Sequence, residues 1–182
     1  NTCCTVWKRK QNNLQNVYGV EDVEHVENVK DDGSGTGHNS VTWNATTPFI
    51  PPVSEGVVIK IYDGDTITIA AKLPYNSSPL YRFSVRLYGI DTPEIKTNNP
   101  IEKRIAVMAR DALNEKIINK KIQLTDVKTE KYGRILANVN YNGVNINEWM
   151  IQQRFAVRYD GGTKKSPDNW EPYYHEGKMC DV

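Results

Sequence analysis

Cysteine is scarce in this chain. Three of its 182 residues, Cys3, Cys4 and Cys180, are cysteines, and all lie near the ends. None has a Cys-x-x-Cys or Cys/His spacing, which excludes the usual zinc sites. No apolar run is long enough to span a bilayer. Nor does charge of one sign dominate: 23 Lys/Arg stand against 22 Asp/Glu, a net +1. A surface so balanced reads first as ordinary solvation, and it cannot on its own identify a polyanion binder.

The distribution is less even. Residues 1–54 carry four basic against six acidic side chains, and residues 55–182 carry nineteen against sixteen. This describes an acidic arm before a weakly basic domain. In the arm, Val17, Val20, Val23, Val26 and Val29 recur every third residue, the pattern of a docking segment or loose chain. Asp31 to Gly37 is a linker by composition, and Pro48, Pro51 and Pro52 stiffen its exit. Adjacent Cys3 and Cys4 before Trp7-Lys8-Arg9-Lys10 fit either an acylated membrane tether or a dispensable pair. The first residue is Asn rather than Met, so an upstream segment, a signal or anchor among the options, is expected to have been removed. The sequons at Asn44 and Asn76 are common patterns and decide nothing.

From Gly56 the texture is that of a folded domain, spanning 55–182. Val57, Ile59 and Ile61 alternate with Val58 and Lys60 in a first strand. Asp63-Gly64-Asp65 turns into a second with Ile67 and Ile69, and Phe83, Val85 and Leu87 mark the inner face of a third. Asn99, Pro100 and Glu102 form a capping box for a helix whose apolar face holds Ile101, Ile105, Met108, Ala109, Ala112 and Leu113. Two strands follow, at 121–127 and 134–140. Asn142-Gly143 makes a turn, and Asn145 and Glu148 predict a second capping box on a short helix. Three strands, helix, two strands, helix is the order of a five-stranded OB-fold barrel, mainly β with helices.

The chemistry sits at the ends of these elements. Asp65 opens the second strand, Arg86 lies on the non-core face of the third, and Asp91-Thr92-Pro93-Glu94 ends it. Arg134 opens the fifth, after Lys131-Tyr132-Gly133. Singly, each has a plainer reading as a turn, a strand exit or a surface ion pair. Together they place three carboxylates and two guanidiniums where barrel closure would let them converge. Crowded carboxylates call for a cation, and an all-oxygen set favours Ca²⁺ or Mg²⁺ over zinc. Thr92 precedes a proline and is held extended, which can present its carbonyl as another oxygen ligand. Two arginine forks suit a phosphodiester gathering negative charge.

The segments YDGDT (62–66), RLYGIDTPE (86–94) and KYGR (131–134) resemble the signature of the staphylococcal nuclease, or thermonuclease, family, with similarity from about Val57 to about Tyr159. That resemblance implies an OB barrel and a Ca²⁺-dependent endonuclease acting on DNA and RNA, single-stranded for preference. It implies that Asp65 and Asp91 bind Ca²⁺ through carboxylates and Thr92 through its carbonyl. Glu94 would activate water, and Arg86 and Arg134 would hold the scissile phosphate. Lys131 and Tyr132 would contact a terminal phosphate and Tyr159 would pack on the nucleotide. Asp63 matches no ligand and serves the turn.

The chain departs from the family in its short loop between Glu94 and Pro100, in the arm at 1–54, and in the tail after Tyr159, which reads as irregular. The arm points to a protein partner, and a weak Ca²⁺ site points to a secreted or membrane-associated setting. The competing reading is a catalytically silent module that binds nucleic acid or protein within a larger assembly. Such a module is expected to have lost the acids or arginines that are present here.

Overall fold

The computed structural model describes residues 41–130, 132–162, 166–167 and 169–177. The valine stripe, the linker at 31–37, the three cysteines and Lys131 lie outside them. From Trp43 onward the described residues form one compact unit. Among the described residues, no helix is long and apolar enough to cross a membrane.

After a single turn of 3-10 helix at Trp43–Ala45, the elements run β1 (Glu55–Ile61), β2 (Thr66–Ala71), β3 (Tyr81–Leu87) and the two-residue β4 (Ile90–Asp91). Then come α1 (Pro100–Ile117), β5 (Lys121–Thr129), β6 (Ile135–Tyr141), β7 (Val144–Asn145) and α2 (Ile146–Gln152), and finally β8 (Val157–Arg158) and α3 (Trp170–Glu176). Hydrogen-bonded neighbours follow the order β3-β2-β1-β5-β6, and a parallel pairing of β3 with β6 closes the sheet into a barrel. This is the expected five-stranded OB-like barrel with a helix between its third and fourth strands. Closure also leaves these strands without a free edge.

The barrel fills with Val58, Ile67, Ile69, Val85, Leu87, Ile122, Ala137 and Val139, all fully buried. Ala109, Leu113 and Ile117 of α1 and Ile146 and Met150 of α2 complete this core. Asn142 and Gly143 both take positive φ, the type I′ geometry that turns β6 back into β7.

Three local expectations change. In β1 the inward set is Gly56, Val58 and Ile61, while Val57 and Ile59 are exposed. A register shift between Val58 and Lys60 inserts Ile59 as an extra residue, and this bulge reverses the alternation.

Both capping boxes form by half. Asn99 accepts from the N–H groups of Ile101 and Glu102, and Asn145 accepts from Glu148 N–H at 3.0 Å. The glutamates turn elsewhere, each to donors outside its own cap. Glu148 takes both guanidinium nitrogens of Arg158, at 2.9 and 2.8 Å. Glu102 reaches back across the loop before α1.

The tail after Tyr159, read as irregular, contains α3. Asn169 caps it, and Trp170 and Tyr173 bury against Ile105 of α1 and Val157. Pro172 lies in the first turn, where its missing N–H has no helical partner to lose. A seven-residue helix shows too little periodicity to be legible, and packing holds it rather than propensity.

Candidate active site

Each candidate side chain is placed by a short structural reason. Between β1 and β2, Asp63 Oδ1 accepts the N–H of Asp65 at 3.2 Å and fixes the turn. At Gly64 an added Cβ would meet the Thr92 side chain at about 3.0 Å, so glycine lets this turn pack against the exit of β4. Arg86 stands directly opposite Thr66 in the antiparallel β2–β3 register. Asp91 is paired with Val157 of β8. The turn before Arg134 is closed at both ends. Gly133 N–H donates to Glu130 O at 2.9 Å and Glu130 N–H to Arg134 O at 3.1 Å, with Gly133 at φ +76°.

These elements bring the side chains into one network. Arg86 Nη1 donates to Asp65 Oδ2, and its Nη2 lies 3.6 Å from Asp91 Oδ1 and donates to Ile90 O at 3.3 Å. Thr66 Oγ1 donates to Asp65 Oδ1 at 2.8 Å, and Arg134 Nη1 donates to Thr66 Oγ1 at 3.2 Å. Arg134 Nε is held by Glu130, which also keeps that guanidinium more firmly protonated. Both aspartates are nearly inaccessible, Asp65 at 4% and Asp91 at 3% exposure. Burial pushes the Asp65 carboxyl up to about 7. Arg86 opposes the rise, Asp63 adds to it, and the Thr66 hydroxyl lowers it again. The Arg86 guanidinium thus serves both buried carboxylates.

Of the residues expected from sequence, Asp65, Arg86, Thr92, Glu94, Tyr132, Arg134 and Tyr159 line one open cavity of about 430 Å³, with Asp63 and Glu130 beside them. Asp91 lies behind this wall, joined to it through Arg86. Lys131 lies outside the described residues. The expected crowding of three carboxylates is reduced to two: Asp65 and Asp91 face the same guanidinium, while Glu94 is exposed on the rim. Among the described residues, no group of three or more His, Cys, Asp or Glu side chains is arranged to hold a metal ion. The donor set still fits a hard cation. Asp65 and Asp91 lie buried at the same guanidinium, Thr92 lines the cavity beside them, and water can supply the remaining oxygens such ions need.

Other contributing residues escape a sequence reading. Glu130 is signalled only by its spacing four before Arg134. Ser166 Oγ donates to Asp91 Oδ2 at 2.6 Å from 75 positions away, with no local sign. Asn147, 2% exposed, sits among apolar residues of α2. It accepts from Val139 N–H at 3.0 Å and donates to Tyr88 O at 2.8 Å, tying the end of β3 to β6.

Comparison with known proteins agrees with this fold. The family model described as staphylococcal nuclease homologue matches residues 84–176. An uncharacterised protein of Methanocaldococcus jannaschii is 30% identical over 152 residues, covering 69% of this chain and 70% of its own. The endonuclease YncB of Bacillus subtilis is 30% identical over 152 residues, covering 79% and 69%. The thermonuclease of Staphylococcus hyicus is 32% identical over 102 residues, covering 54% and 56%. Across the most similar relatives the chain spans between 46% and 70% of their length.

Proposed function

The chain belongs to the staphylococcal nuclease family, and from that premise we propose that it is a Ca²⁺-dependent endonuclease hydrolysing phosphodiester bonds of DNA and RNA. The observation that carries this reading is Arg86 set between two buried aspartates, in a cavity shared with Glu94 and Arg134. A silent binding module has no need of that set. Relatives named endonuclease and thermonuclease support the same reaction class.

Asp65 and Asp91, with the Thr92 carbonyl, would hold the Ca²⁺, which when bound supplies positive charge beside the phosphate. The remaining work falls to the protein's own groups. Arg86 and Arg134 turn guanidinium N–H donors toward the non-bridging oxygens, where negative charge builds as phosphorus becomes five-coordinate. Glu94, on the open rim, accepts a proton from the attacking water. The bond from phosphorus to O5′ breaks and the departing oxygen takes a proton from water in the open cavity, leaving a 3′-phosphate and a 5′-hydroxyl. Tyr132 and Lys131 contact a terminal phosphate, and Tyr159 offers a ring to the base. These contacts go to phosphate and a base face rather than to the 2′-hydroxyl, so both sugars are accepted and single strands are favoured.

The test is cleavage of single-stranded DNA and RNA in Ca²⁺, Mg²⁺ and chelator side by side. Cutting is expected with Ca²⁺ and none with chelator. Binding without cutting in every condition would favour the silent module.

A further inference from the structure

The general base of the proposed reaction stands in the loop between β4 and α1. Among the described residues, no backbone–backbone hydrogen bond holds residues 93 to 98. Glu94 itself is exposed. A carboxylate that must meet a water at hydrogen-bond distance needs a fixed backbone, and exposure alone does not fix one. One tie comes from the first turn of α1. Glu102 Oε1 accepts the N–H of Glu94 at 3.1 Å, and Glu102 Oε2 accepts the hydroxyl of Thr97 at 2.8 Å. Thr97 Oγ1 in turn accepts Asn99 N–H at 3.2 Å.

This arrangement departs from the local rule in an informative way. A glutamate three residues after the cap ordinarily returns to the cap's own N–H. Here Thr97 takes over that N–H, which leaves both oxygens of Glu102 for the loop. We propose that Glu102 is a positioning residue for the reaction, its carboxylate pinning the backbone of Glu94 so that the base is set before substrate arrives. α1 is anchored by Ala109, Leu113 and Ile117 in the barrel core, so the clamp refers Glu94 to the rigid part of the molecule. It also accounts for the brevity of the loop: Glu94 lies eight positions before its clamp, and a longer excursion would need its own support. The proposal rests on the nuclease reading for its consequence but not for its geometry.

The experiment uses the full chain with Glu102→Ala and Glu102→Gln. Glutamine keeps an oxygen for Glu94 N–H and loses the charge, whereas alanine loses both. Any effect through the helix dipole is therefore shared, and the difference between the two variants isolates the hydrogen bonds. With single-stranded DNA and Ca²⁺, Glu102→Ala should lower kcat by up to about 100-fold with KM within about twofold, the scale of a displaced catalytic group. Glu102→Gln should recover most of kcat. Amide exchange at Glu94, followed by NMR, should be slow in wild type and Glu102→Gln and fast in Glu102→Ala. An active wild type whose Glu102→Ala variant keeps its kcat, or a Glu94 amide equally protected in all three proteins, would overturn the clamp. A wild type that cuts nothing but shows the expected exchange pattern would uphold the clamp and sink the nuclease reading instead.

Discussion

Replacing Arg86 by alanine removes a side chain that faces both buried aspartates. The three side chains are 15%, 6% and 4% exposed, so water screens them little. Breaking a buried pair by deleting one partner costs about 3–5 kcal/mol. The lower end applies here, because burial raises the Asp65 carboxyl to about 7 and Arg86 holds that rise back, so the carboxyl takes up a proton more readily when its partner leaves. For a unit of this size, about 3 kcal/mol corresponds to roughly 6–12 °C in Tm. The deficit should appear in chelator and shrink in millimolar Ca²⁺, since the cation then takes over part of the charge that Arg86 balanced. Catalysis should not follow stability back. Loss of a preorganised donor to the phosphate removes a further ~2–4 kcal/mol of transition-state stabilisation even in saturating Ca²⁺. Thermal melts with and without chelator, paired with single-turnover cleavage of single-stranded DNA, separate the two effects. A variant that melts like wild type in chelator would show that Arg86 is not the counter-ion of this pair. Undiminished turnover would remove it from the reaction.

Glu94→Gln should slow cleavage by about 10²–10⁴-fold, the scale of general-base catalysis, while leaving the rise in Tm on adding Ca²⁺ unchanged. Loss of that rise would make Glu94 a metal ligand rather than a base. Arg134→Ala should cost about 2–4 kcal/mol in kcat/KM on nucleic acid, with little change in Tm because its partner Glu130 can rehydrate at the cavity rim. Normal kinetics would reassign Arg134 to the turn it ends. Asn147→Ala should destabilise the fold by roughly 3 kcal/mol in urea denaturation, since Val139 N–H and Tyr88 O lose a buried partner. A shift below about 1 kcal/mol would mean that water or relaxation replaces those bonds.

What the sequence disclosed, and what it hid, divides along a physical line. Asp65, Arg86, Thr92, Glu94, Tyr132, Arg134 and Tyr159 meet in one cavity, with Asp91 joined to it through Arg86. Their chemistry is carried by residue type at turns and strand ends, and those are local signals. The five barrel strands and α1 were legible because their apolar spacing extends over several residues. The bulge at Ile59 was not, because Val57, Ile59 and Ile61 satisfy strict alternation in sequence and only the partner strand shows the extra residue. α3 was too short to display a period. The second partners of site residues, Glu102 on Glu94 and Ser166 on Asp91, were hidden for a different reason. A glutamate at a cap position has a plausible local use, and nothing in a linear reading says that Thr97 has already filled it.

The site is held in place by the core, and register is the link between them. Arg86 lies between Val85 and Leu87, both fully buried, and faces Thr66 across the β2–β3 ladder. A slip of one residue would carry the guanidinium into the barrel and Leu87 into the cavity, so every buried side chain of β3 opposes it. The bulge in β1 serves the same end from the other strand. With unbroken alternation, Ile61 would face out with Val57, and the chain would enter the Asp63–Asp65 turn with its faces exchanged. By taking up Ile59 as the extra residue, β1 returns Ile61 to the core directly before that turn. Asp65 then opens β2 with its carboxylate toward Arg86. Hydrophobic packing that makes no contact with a phosphate thereby sets the charge geometry on which the proposed chemistry depends.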